Sequence, residues 1–191
     1  MPRTTEQNEQ IREATKAAII ENALILFAQK GYATTNMRQI AQQAGVSTGL
    51  TYHYFDSKQS LLRVVFECSM LLLSEAFASA VTIADPKQRM VALLNVIFTK
   101  LEAERDFWSF FYMLRTQPAI MTILGDDFRR WTTELRAIFV MTLQEMKRPS
   151  PELDAYLLYS LVEGTVQQYL LDPENYPLAQ IVDRILEPYS E

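Results

Sequence analysis

The strongest constraint on the fold is a single glycine, Gly45, set between two short runs of helical periodicity in the stretch TTNMRQIAQQAGVSTGLTYHYFDSK, Thr34 to Lys58. Before it, Met37, Ile40, Ala41 and Ala44 recur at helical spacing, and Thr35 is a suitable N-cap because its hydroxyl can accept a hydrogen bond from a free first-turn amide. A helix from about Asn36 to Ala44 is therefore predicted. Gly45 stands where the chain must reverse, and glycine takes the left-handed conformation there without steric penalty. Val46 then folds back as a wedge, and Ser47 caps a second helix from Thr48 to Tyr54. Asp56 with Gln59 reads as a capping box for a long helix that follows. Two short helices across a tight turn make a helix-turn-helix, a motif whose second helix can face outward into a groove of duplex DNA.

The second of these helices combines Gly49 with hydroxyl, imidazole and phenol groups. Such a composition is odd for a core but suits a helix lying close to a phosphate backbone. Net charge looks unfavourable, since the chain carries −5 with a pI near 5.0. Its distribution answers part of that: residues 1–65 hold seven basic and five acidic side chains, a balance of +2, which leaves −7 for the remainder. A mildly basic end on an acidic body fits a site-specific binder with weak non-specific affinity.

The string IAQQAGVSTGLTYHYFDSKQSLL resembles the DNA-binding segment of the tetracycline-repressor (TetR) family, over roughly Ala23 to Leu62. One departure is Thr51, where many members carry a bulkier apolar residue. The resemblance implies an all-α homodimer: an N-terminal three-helix DNA-binding lobe, residues 1–56, linked by a long fourth helix to a C-terminal ligand-binding and dimerisation bundle, residues 57–191. It further implies that Thr35 and Arg38 contact the DNA backbone, that Ser47, Thr48, Gly49, Leu50, Tyr52, His53 and Tyr54 face a palindromic operator, and that Lys58 pairs with a phosphate. Of these, Thr48, Leu50 and His53 are the residues suited to base edges. Most relatives of this kind are repressors released by a small ligand, so repression is the expectation. The alternatives are an activator of the same design, a helical adaptor and a small helical enzyme. The enzyme has little support, because no paired carboxylates in a polar cleft, no nucleophile with a base and no phosphate-binding glycine loop can be found.

The rest of the chain reads as support. A first helix is predicted from about Asn8 to Lys30, with Ala17, Ile20, Leu24, Phe27 and Ala28 inward and Gly31 just past its end. The fourth helix should run from Ser57 to Ala80. Asp85 and Pro86 open another, Gly125 ends a short piece before a helix from about Asp126 to Lys147, and Ser150 with Pro151 opens the next. In the helix Pro151 to Leu171, Glu163 is the only charge between Asp154 and Asp172. A helix apolar around most of its circumference must be covered on more than one side. A second copy of the chain is the simplest cover, with a final helix from about Leu178 to Leu186 completing that surface.

Candidate ligand contacts are Phe66, Met70, Phe98, Trp108, Phe111, Tyr112, Trp131, Glu163 and Gln167, which combine aromatic or flexible apolar surface with a few polar anchors. They imply a largely hydrophobic effector, although the aromatic stretch also reads as plain core and the Glu163–Gln167 pair as part of a dimer seam. The single cysteine, Cys68, excludes an intramolecular disulfide, and no Cys/His cluster has metal-ligand spacing, so no metal or cofactor is expected. A polar N-terminus and the lack of an uncharged apolar run of about 18 residues point away from a signal peptide or membrane span and toward the cytoplasm.

Overall fold

The computed structural model describes residues 4–190 and contains, among them, nine α-helices and no strand. The described residues pack into two compact units that divide between Met70 and Leu71.

The first unit begins with α1, Thr5–Lys30, started by a capping box in which Thr4 and Gln7 exchange side-chain to backbone hydrogen bonds. This start lies three residues before the predicted one. Its buried side chains are Ile19, Ala23, Leu26 and Phe27, whereas Ala17 is exposed, so the inward face is rotated from the predicted one. Gly31 closes the helix at φ 82°, its amide donating to the Phe27 carbonyl. α2, Met37–Gln43, is capped by Asn36 in a reciprocal box with Gln39, not by Thr35. Gly45 takes φ 69° as expected, and the Val46 amide returns to the Ala41 carbonyl at 2.9 Å. α3, Thr48–Tyr54, follows with Ser47 as its cap.

α4 spans Lys58–Val81. Its start is held by two serines, Ser57 and Ser60, each hydroxyl accepting the other's amide at 3.0–3.1 Å, in place of the predicted Asp56–Gln59 box. By length and mean hydropathy, 1.7 over its most apolar stretch, α4 could cross a bilayer, although Arg63, Glu67 and Glu75 leave it without the uncharged run that the sequence also lacks. Leu61, Leu62, Val65, Leu73 and Phe77 are nonetheless buried within the protein, the use a core helix makes of the same residues.

The second unit continues with α5, Pro86–Ala103, whose start is capped by Asp85 accepting from the Gln88 amide at 2.8 Å. α6, Arg105–Arg115, carries the aromatic cluster, and α7 spans Pro118–Glu145. Gly125 does not interrupt α7. The preference against glycine in a helix, about 1 kcal/mol, is outweighed by the buried face of Ile120, Leu124 and Phe128 on either side of it. α8, Pro151–Leu171, has Pro151 in its first turn, but Ser150 makes no side-chain cap bond. α9, Leu178–Ser190, extends past Leu186. α7 packs on α8, α5 on α9 and α7, and α6 on α7 and α8. Arg89 ties the loop before α5 to the end of α7, donating to the Ile83 carbonyl at 2.7 Å and to Glu145 at 2.9 Å.

Candidate functional site

α3 is a seven-residue helix, too short to hold itself in water, so its position must come from its surroundings. Two internal residues supply it. Thr51 is fully buried, and its hydroxyl donates to the Ser47 carbonyl at 3.2 Å. Phe55, just past the helix, is also buried. With that side anchored, Gly49, Leu50, Tyr52 and His53 are left exposed, and Thr48 and Tyr54 are half-buried beside them. The Ser47 hydroxyl accepts from the Leu50 amide at 3.1 Å, and Arg38 of α2 is exposed. A Cβ placed on Gly49 would meet nothing within 4 Å, so packing inside this chain does not call for a glycine there.

Two residues expected at the DNA surface are used internally instead. Thr35 is 1% exposed, and its hydroxyl donates to the Gly31 carbonyl at 2.9 Å, with a longer contact to the Leu26 carbonyl at 3.3 Å. It closes the turn after α1, and burial keeps it from a phosphate. Lys58 is the second residue with internal partners. Its ammonium donates to the carbonyls of Tyr32 at 2.7 Å and Thr35 at 2.8 Å, reaches that of Ala33 at 3.4 Å, and lies 4.2 Å from the centre of the Tyr32 ring. All three donors of an ammonium are thereby engaged. Burial lowers the Lys58 pKa from its ordinary value. The residue therefore clamps the first turn of α4 to the loop between α1 and α2.

The second unit encloses a small cavity of about 20 Å³, roughly the room one water needs. Of the expected ligand contacts, Trp108, Phe111, Tyr112, Trp131 and Glu163 line it. Phe66, Met70 and Phe98 are buried but do not line it, and Gln167 lies exposed on the outer face of α8. The physical reason for the last is angular: Glu163 and Gln167 are a turn apart, but the helix drifts, and the inward neighbours here are Val162 and Val166. Leu73 and Phe77 of α4 complete the wall with Tyr159 of α8. The rings meet at edges, with Phe111 and Phe128 centroids 5.1 Å apart at 68° and Trp108 and Phe111 6.0 Å apart at 71°, geometries that aromatic quadrupoles favour.

One wall of the cavity is polar. Arg115 Nη1 donates to Glu163 Oε2 at 2.7 Å, the Tyr159 hydroxyl donates to Glu163 Oε1 at 2.8 Å, and Thr132 Oγ1 lies 3.3 Å from the Tyr159 oxygen. Burial first, and then the Glu163 carboxylate charge, push the Tyr112 phenol well above the usual range. The same causes push Tyr159 up to about 12. Sequence reasoning missed Arg115, Tyr159 and Thr132. Tyr159 was within reach, being one turn from Glu163 on the same helix face; Arg115 arrives from another helix and left no local trace.

The outer face of α8 is apolar. Leu153, Tyr156, Leu157, Leu161 and Leu171 are each more than half exposed, joined by Met141 of α7, and the Arg136 guanidinium covers the Tyr156 ring at 4.1 Å. Among the described residues, no group of three or more His, Cys, Asp or Glu side chains could hold a metal ion.

A short outward-facing helix, set across a glycine turn on a buried support and followed by a separate helical unit, defines a helix-turn-helix transcriptional regulator. Residues 19–65 match the profile of bacterial regulatory proteins of the tetR family. The regulator BetI of Paraburkholderia xenovorans is 31% identical over 160 residues, 81% of this chain and 80% of that protein. BetI of Rhizobium meliloti is 36% identical over 85 residues, but the match spans only 44% of this chain and 41% of that relative. Among solved structures, a transcriptional regulator from Rhodococcus sp. Rha1 superposes with a TM-score of 0.79 at 20% identity, covering 91% of this chain and 95% of that one. FadR of Bacillus subtilis, in a complex with stearoyl-CoA, gives 0.75 at 20%, covering 91% and 96%. The chain belongs to the TetR family, and these relatives are named as regulators, a non-enzymatic class.

Proposed function

We propose that this chain is a ligand-responsive repressor that acts in the cytoplasm as a homodimer on a palindromic operator. The observation that carries the reading is the face of α3: Gly49, Leu50, Tyr52 and His53 are exposed, and nothing lies within 4 Å of a Cβ built on Gly49. A glycine with open space above it lets the helix approach a phosphate backbone closely, while Leu50, His53 and the adjacent Thr48 can reach base edges. Ser47, Tyr52, Tyr54 and Arg38 position the helix on the backbone. Two such helices must enter successive major grooves about 34 Å apart. The apolar outer face of α8, continued by α9, is the surface through which a second copy sets that spacing.

The cavity in the second unit is the effector site. The relative solved with stearoyl-CoA supports a hydrophobic ligand for a protein of this fold. A drug-sized ligand needs about 300 Å³ or more, far beyond the closed cavity, so binding must displace the wall. Leu73 and Phe77 belong to α4, whose first turn Lys58 clamps to the loop before α2. Displacing α4 therefore moves the support of the reading helix, and the two heads lose their joint fit to the operator. The functional division is then residues 1–56 for DNA and 57–191 for ligand and dimer.

The test is a gel shift with DNA from upstream of the protein's own gene, alongside light scattering. A retarded band whose half-saturation falls near the dimer concentration supports the reading. A monomer that ignores every upstream fragment sinks it.

A further inference from the structure

We infer that the cavity of the second unit takes a neutral, largely hydrophobic molecule bearing a hydrogen-bond acceptor, such as a ketone, amide or ester oxygen, which receives the Trp108 indole N–H. This rests on the cavity being the effector site and goes further, to the chemistry of the effector. Trp108 lines the cavity and is 7% exposed, and its Nε1 is, among the described residues, a buried side-chain polar atom without a hydrogen-bond partner. Buried donors are ordinarily paired, because leaving one unmade forfeits its hydration with nothing in return. An indole N–H can only donate, so the missing partner must be an acceptor.

The polar wall disfavours the charged alternatives. The Glu163 carboxylate is ion-paired with Arg115 at 2.7 Å and accepts the Tyr159 hydroxyl at 2.8 Å, so a cationic ligand would meet a charge already compensated. An anionic ligand would meet a guanidinium already paired with Glu163 and would set a second negative charge beside that part-buried carboxylate. The pair thus neutralises itself and offers a ligand no net charge. Around it, Phe77, Phe111, Trp131 and Leu135 supply apolar and aromatic contact. What remains unsatisfied is one donor.

A matched naphthalene series tests this on the full-length protein by titration calorimetry: 2-acetylnaphthalene, 2-isopropylnaphthalene, 2-naphthoate and 2-naphthyltrimethylammonium. The ketone should bind about tenfold or more tighter than the isosteric hydrocarbon, and tighter than either ion. Trp108→Phe should bring the ketone-to-hydrocarbon affinity ratio to about one, since it keeps a ring but removes the donor. Should that variant fail to fold, the wild-type protein still decides. It has two tryptophans, and one indole N–H resonance should move downfield with the ketone but not with the hydrocarbon. Ketone and hydrocarbon binding alike, or an ion binding tightest, overturns this inference and leaves the effector-site reading standing. If no member of the series binds, both fall.

Discussion

α3 and α8 each present a face that their own unit leaves uncovered, but the two faces are chemically opposite. On α3 the exposed groups are a glycine, an imidazole, a phenol and one leucine; on α8 they include Leu153, Leu157, Leu161 and Leu171 with one tyrosine, beside the polar Glu152, Ser160, Gln167 and Gln168. Water satisfies the first set at little cost, so α3 can stand unoccupied and be occupied only when its target is present. It satisfies the second poorly, at about 25 cal/mol for each Å² of apolar surface left wet. Under the proposed function, the α3 face has to be stable alone, whereas the α8 face gains from being covered.

That contrast can be broken most severely at α8. The double variant Leu157→Asp with Leu161→Asp should convert the protein to a monomer by light scattering. Operator affinity should drop by about a hundredfold or more, because linked binding to two half-sites is lost; a dimer that persists would place the seam elsewhere. Next in size, His53→Ala should weaken operator binding by about 1–3 kcal/mol in a gel shift while leaving the molar mass unchanged. A change in mass would show that the two faces are not independent.

Lys58→Ala sharpens the boundary between reading and support. As an internal clamp, Lys58 should cost about 1–3 kcal/mol of stability on removal, seen as a lower melting temperature, with the salt dependence of DNA binding unaltered. A slope reduced by about one at unchanged stability would return Lys58 to the phosphate. The smallest effect lies on the inner side of α8, at Tyr159. Its folded pKa, about 12, exceeds the ordinary phenol value of 10.0. The neutral form is thus favoured by folding, and its contribution is complete below pH 10 and lost as pH rises toward 12. Tyr159→Phe should remove part of that alkaline loss in a melting series, while operator binding at neutral pH stays the same.

The two regions also differ in how much the residue string could say about them. Around α3 the determinants are local: Ser47 caps, Gly45 turns and Thr48 to Tyr54 follow, all within a dozen residues. What misled there was long-range backbone. The carbonyls that Lys58 occupies belong to residues 23 to 26 positions earlier, and no pattern of side chains announces them. In the second unit, aromatic density pointed to Trp108, Phe111, Tyr112 and Trp131, which do line one cavity. The polar wall escaped notice because Arg115 meets Glu163 across 48 residues. Gly125 shows the same limit: a residue that often ends a helix is carried through one when the packing on either side continues.

The placement of the tryptophans has a practical consequence. The chain has two, Trp108 and Trp131, and both line the cavity. Indole emission, excited at wavelengths that tyrosine does not absorb, therefore originates at that spot. Anything that enters it should change the brightness or colour of that light, so occupancy can be followed optically without attaching a dye.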